Sequence, residues 1–159
     1  MQGAYQAPQA RKRAPSWCQN PIWNFRKFHD FIGFMSQKKI GSCHCGKVQF
    51  EVTLENGLGE FDEIRRCNCS LCRRKGAIIA SVPLANLKVT KGAENLTLYQ
   101  WNTKTAKHYF CKTCGIYTHH QRRSRPELFG FNVACLEGVD PFAFRDVPVG
   151  DGASQSLVK

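Results

Sequence analysis

The chain has 159 residues, 42% of them apolar and 22% charged, with nine cysteines and a formal charge of +11. That length suits one domain, which buries about two-thirds of the unfolded surface, and the composition excludes a mostly disordered chain. The longest uncharged stretches, residues 14–25 and 76–87, are 12 residues each, short of the ~18 that a membrane-spanning helix needs.

Residues 1–34 differ in kind from the rest. Residues 1–10 are rich in Gln and Ala, and Arg11, Lys12 and Arg13 form a basic run. Trp17, Trp23, Phe25, Phe28, Phe31 and Phe34 follow, with Pro15 and Pro21 among them. No period of 2 or 3.6 holds for more than a few residues, and no apolar h-region follows the basic run. The expectation is a poorly ordered basic and aromatic extension over residues 1–34, not a secretory signal. Met35 then opens the folded domain and is a candidate start of the natural protein.

From Ile40 onward the chain reads as short strands. Residues 47–54 alternate, with Val48, Phe50, Val52 and Leu54 on one face and Lys47, Gln49, Glu51 and Thr53 on the other. Gly57 and Gly59 follow as turn signals. Residues 77–82 form an apolar run closed by Pro83, the pattern of a buried strand. A short helix fits residues 69–75, and residues 96–101 alternate again. Residues 106–111 and 116–121 flank Lys112-Thr113-Cys114-Gly115 and predict a hairpin with cysteines in its turn. Residues 128–136 are a further strand candidate. Residues 147–159, with Pro148, Gly150 and Gly152, read as a loose end. The fold class is mainly β: a small domain over residues 35–149, organised around its cysteines, with a flexible tail at 150–159.

Seven of the nine cysteines fall in three clusters. They are Cys43-His44-Cys45-Gly46, Cys67-Asn68-Cys69-Ser70-Leu71-Cys72 and Cys111-Lys112-Thr113-Cys114-Gly115; Cys18 and Cys135 stand alone. Seven is an odd number for a disulfide framework, and close C-x-C and C-x-x-C pairs suit chelation by thiolates at about 2.3 Å. Gly46 and Gly115 permit the left-handed turn that such knuckles use. Thiolate-rich tetrahedral sites favour zinc. A structural zinc closes with four protein ligands, and a catalytic one keeps three and an open position. The seven thus divide into Cys43, Cys45, Cys111 and Cys114 as a closed site, and Cys67, Cys69 and Cys72 as an open one. Two alternatives stand beside this division: two closed sites with His44, His108, His119 or His120 as eighth ligand, or one zinc with redox-active cysteines.

These motifs resemble the family of glutathione-dependent formaldehyde-activating enzymes, the GFA or CENP-V/GFA domain. The likeness is carried by Gly41-Ser42-Cys43-His44-Cys45-Gly46-Lys47-Val48, by the middle cluster continued through Arg73-Arg74-Lys75-Gly76, and by Lys107-His108-Tyr109-Phe110 before the last cluster. It runs from about Ser36 to about Val149 with all seven motif cysteines in order. Residues 118–138 also look like a bacterial subgroup of the family. The resemblance implies a β-tent fold, two Zn2+ per chain, and the same division of ligands: a structural zinc on Cys43, Cys45, Cys111 and Cys114, and a catalytic-type zinc on Cys67, Cys69 and Cys72. It further implies a cytoplasmic carbon–sulfur lyase that forms S-(hydroxymethyl)glutathione from the small-molecule partners glutathione and formaldehyde.

The chemistry is consistent with that expectation, because a coordinating thiol is held as thiolate and a thiolate beside an aldehyde carbon gives a hemithioacetal. Arg65, Arg66, Arg73, Arg74 and Lys75 flank the open cluster and either pair substrate carboxylates or offset the thiolates. His119 and His120 sit in one strand and point to opposite faces, so one of them is a candidate proton shuttle. Cys135 reads as a buried small apolar residue. The rival class is a non-catalytic zinc module that binds protein or nucleic acid. Charge argues against nucleic acid. Seven zinc thiolates carry −7 and two Zn2+ carry +4, which takes the formal +11 to about +8, and the extension holds +4 of that.

Overall fold

The computed structural model describes residues 36–55 and 64–154. The expectations for residues 1–34, Cys18 included, and for the turn at Gly57 and Gly59 fall outside the described residues, as do residues 155–159. All that follows concerns the unit Phe34–Lys159.

The described chain is mainly β. Strands β1 (Gln37–Ser42) and β2 (Gln49–Leu54) form a hairpin, and β5 (Leu87–Lys91) joins β2 from the other side, making a three-stranded antiparallel sheet. A second antiparallel sheet has five strands in the order β4 (Ile79–Pro83), β9 (Leu128–Asn132), β8 (Tyr117–Gln121), β7 (Lys107–Cys111), β6 (Leu96–Tyr99). Two short strands, β3 (Arg66–Cys67) and β10 (Val149–Gly150), pair in parallel, and one helical turn, α1 (Cys72–Lys75), follows β3. Small sheets tied together at cysteine clusters are compatible with the β-tent expected. No helix among the described residues is long and apolar enough to cross a membrane.

The core lies between the two larger sheets. Phe50, Val52 and Leu54 of β2 are wholly buried, as the alternation predicts, and meet Leu87, Ala80, Val82 and Phe131. Burying each such side chain is worth about 1.5–3 kcal/mol. The run at residues 77–82 reads as apolar throughout because β4 is covered on both faces. Ala80 and Val82 face the core, while Ile79 lines a cavity on the other side. The strand expected over residues 128–136 stops at Asn132. There the Asn132 side chain accepts from the Ala134 amide and starts a 3-10 turn, Val133–Cys135.

Register across the five-stranded sheet sorts its residues into rows. Ser81 lies opposite Gly130, Gly130 opposite His120, and His120 opposite His108. One residue earlier or later on each strand, Ala80, Phe131, His119 and Tyr109 form the next row. Successive residues of a strand face opposite ways, so the first row faces the cavity and the second faces the core.

Candidate metal centres

Two hairpin turns build the first cluster. In β1–β2, the Cys43 amide donates to the Val48 carbonyl and the Gly46 amide to the Cys43 carbonyl; in β7–β8, Cys111 and Ile116, then Gly115 and Cys111, repeat the pattern. Gly46 and Gly115 both take a positive φ, +70° and +73°, the left-handed region that glycine enters without penalty. The two turns bring the Sγ atoms of Cys43, Cys45, Cys111 and Cys114 within 4.8 Å of one another. Cys43–Cys45 and Cys45–Cys111 are each 3.6 Å apart. A tetrahedral ion with bonds of about 2.3 Å needs sulfur–sulfur edges of about 3.8 Å, so the donor set fits a metal ion. The Val48 amide donates to Cys43 Sγ at 3.3 Å and the Asn95 side-chain amide to Cys111 Sγ at 3.2 Å. The Val48 amide favours the Cys43 thiolate.

A single loop builds the second cluster. Cys67 ends β3, Cys69 lies in the following turn and Cys72 opens α1, and their Sγ atoms again lie within 4.8 Å of one another. The Cys72 amide donates to Cys69 Sγ at 3.4 Å. Cys67 is held down to about 5, above all because the Cys72 thiol donates to it, and Cys72 is pushed up as the donor of that pair. Residues 148–154 wall this loop from outside. The Arg66 amide donates to Pro148 and the Asn68 amide to Gly150, while the Asn68 side chain bonds both Asp151 Oδ1 and the Ala153 amide.

Among the described residues no His, Asp or Glu joins either cluster, and no cysteine is in a disulfide. Two groups that could each hold a metal ion therefore stand at four ligands and three, and the alternative with a histidine as eighth ligand is not what the geometry offers. Only the three-thiol cluster meets the cavity. Of about 210 Å3, the cavity has Cys67, Cys69 and Cys72 in its wall, facing His108, His120 and Trp101.

Residues 38–146 match the family described as "Glutathione-dependent formaldehyde-activating enzyme". The chain belongs to that family. A Halomonas elongata protein with the provisional name glutathione-dependent formaldehyde-activating enzyme is 34% identical over 111 residues, 65% of this chain. The chain spans 62% of that relative's length. A solved structure of a Rhodobacter sphaeroides protein is 61% identical, with a TM-score of 0.66 over 70% of this chain and 99% of the other.

In this member of the formaldehyde-activating family the remaining expected site residues part company. His119 turns into the core, stacked on Tyr109 at 4.6 Å and edge-on to Phe129 at 5.4 Å, and burial lowers it to about 4. His120 turns into the cavity. His44 is exposed. Cys135 is buried, and burial pushes it up to about 12, which makes it an unreactive apolar filler. Of the five basic residues flanking the loop, Arg65 reaches the cavity. Arg66 donates to the Gly76 carbonyl and Arg74 to the Ser70 carbonyl. Lys75 lies under the site, with Nζ 3.7 Å above the Tyr117 ring and 3.4 Å from His108 Nδ1. The sequence reading missed Arg122, Arg123 and Trp101 in the cavity wall, and Asn95 on the four-thiol cluster. Arg122 and Arg123 directly follow β8, so the strand's end was a signal for them; Asn95 offered none.

Proposed function

We propose that the protein is a zinc enzyme of the carbon–sulfur lyase type that joins a thiol to a small aldehyde, with glutathione and formaldehyde as the first pair. One observation carries this reading: the cluster with three thiols, one ligand short of closure, is the one that opens on the cavity. The names of the family and of the Halomonas elongata relative support the choice of substrates.

Cys43, Cys45, Cys111 and Cys114 would hold a structural zinc, and Cys67, Cys69 and Cys72 a second with a position left over. When bound there, zinc supplies a site that keeps a substrate thiol as thiolate. The chain does the rest. Arg65 and Arg123, in the cavity wall, give the substrate's carboxylates cationic partners, and guanidinium geometry suits carboxylate. Trp101 walls the cavity and limits water around the reacting atoms. In the reaction a sulfur–carbon bond forms, the carbonyl π bond opens, and the thiol proton ends on the oxygen; nothing is oxidised. Holding both reactants in one cavity supplies much of the acceleration.

The test uses the purified full chain, its zinc content and exchange NMR of the glutathione–formaldehyde adduct. Two zinc ions per chain and exchange faster than in buffer are expected. Zinc-loaded protein that accelerates no thiol adduct of any small aldehyde overturns the reading.

A further inference from the structure

The cavity holds two imidazoles whose ring nitrogens are tied in different ways. His108 and His120 stack with centroids 4.9 Å apart and planes 15° apart. His108 Nδ1 lies 3.4 Å from Lys75 Nζ. Where Lys75 carries its charge it only donates, so Nδ1 then accepts and the ring's proton sits on Nε2. His120 Nδ1 is in hydrogen-bond contact with the Tyr117 hydroxyl instead, and that hydroxyl also reaches the Gly130 carbonyl at 3.4 Å. A carbonyl only accepts, so the arrangement that satisfies both contacts sends the hydroxyl proton to Gly130 and has the hydroxyl oxygen take the proton of His120 Nδ1. The lone pair of His120 Nε2 is left over, on a ring that lines the cavity beside the three thiols.

A second observation is independent of the hydrogen bonds. Gly130 lies directly opposite His120. Its backbone is not in the left-handed region, so any residue could adopt it. The missing side chain serves space: a Cβ there would collide with Cε1 of the His120 ring and stand 2.9 Å from Nδ1. A glycine inside a strand weakens it, and at this position the gap is what seats the imidazole.

We propose that His120 is the catalytic proton-transfer residue of the cavity, and that Tyr117 and Gly130 are its positioning residues. The proposal rests on the thiol–aldehyde reading above. The thiol proton passes to His120 Nε2, the sulfur–carbon bond forms as the carbonyl π bond opens, and the same proton passes from Nε2 to the new oxygen. The ring begins and ends neutral, and no electron changes hands. Burial keeps it neutral, helped by the positive charges of Lys75, Arg122 and Arg65 around it. A proton placed on such a ring is handed on readily. His108, its Nε2 committed as a donor, complements it.

The test uses the full-length, zinc-loaded chain with 15N-labelled histidine. Imidazole NMR, which needs no substrate, is expected to find the Nδ1–H tautomer at His120 and the Nε2–H tautomer at His108. In Tyr117→Phe the His120 tautomer is expected to shift toward Nε2–H. An Nε2–H tautomer at His120 in the unsubstituted chain overturns the proposal, because no base would then face the cavity. The kinetic arm follows adduct exchange in His120→Gln, where a loss of about 100-fold at unchanged zinc content is expected, the lower end for a general acid–base group. Exchange unchanged in that variant also overturns the proposal. If the unsubstituted chain accelerates no adduct, the thiol–aldehyde reading fails separately, and the tautomers still decide how His120 is held.

Discussion

The two cysteine clusters use one ligand type and come out as different devices. The four-thiol cluster is made where two hairpin turns meet, 66 residues apart in the chain at Cys45 and Cys111. Its Cys43 and Cys111 are 3% and 1% exposed and sit in a small apolar cluster with Val48. The three-thiol cluster is made by one loop, all its cysteines are half-buried, and it faces a cavity. Ligand count and access, rather than ligand chemistry, separate the two clusters.

The sharpest way to break this comparison is to remove one ligand from each cluster. Cys111→Ser is expected to unfold the domain or lower its melting temperature by more than about 10 °C, since binding energy at a structural zinc is folding energy. Cys69→Ser is expected to melt within a few degrees of the parent and to lose adduct exchange by more than about 100-fold, beyond the usual cost of outer-shell changes. Equal melting losses in calorimetry would erase the distinction.

Acid sharpens the comparison from the scaffold side. His119 falls from an ordinary 6.5 to about 4 on burial, so between those values the unfolded chain binds the extra proton. Stability is then full above about pH 6.5 and falls as pH drops toward 4, by about 3 kcal/mol from this ring. Urea unfolding at pH 7 and 4.5, on the parent and on His119→Gln, isolates that part from loss of metal; an equal pH dependence in both would remove His119 from the account.

Smaller changes test one cluster at a time. A methyl group at residue 152 would stand 2.5 Å from Cys67 Sγ and 3.0 Å from Cys69 Cβ. Gly152→Ala is expected to weaken metal binding at the three-thiol cluster by about 10–100-fold and to leave the other unchanged. Competition with a chromogenic chelator reads both sites. Asn95→Ala removes the amide on Cys111 Sγ and is expected to cost about 1 kcal/mol of stability, with cavity chemistry unaffected.

Much of this was legible in the sequence, and the illegible part has a common cause. Alternation at Val48, Phe50, Val52 and Leu54 revealed a strand and its buried face. Cysteine spacing revealed both clusters because a few residues of backbone hold each pair. Strand alternation also showed that His119 and His120 diverge, but not which one enters the core. That was decided by Phe131 and Gly130, their partners on another strand. β5 carries only Leu87 and Val89 as apolar residues and pairs with β2, about 35 residues earlier. β3 and β10 are two residues each and pair in parallel across a long separation. Features set by contacts distant in sequence leave no local period to read.

The wall of residues 148–154 has a consequence for the order of events during synthesis. Asn68 and Asp151 are 83 residues apart, and chains grow at about 5–20 residues per second. The cysteine loop therefore leaves the ribosome roughly 4–17 s before its outer wall exists. Three thiols stand open to passing metal ions over that interval, and β10 closes over whatever the loop has already captured.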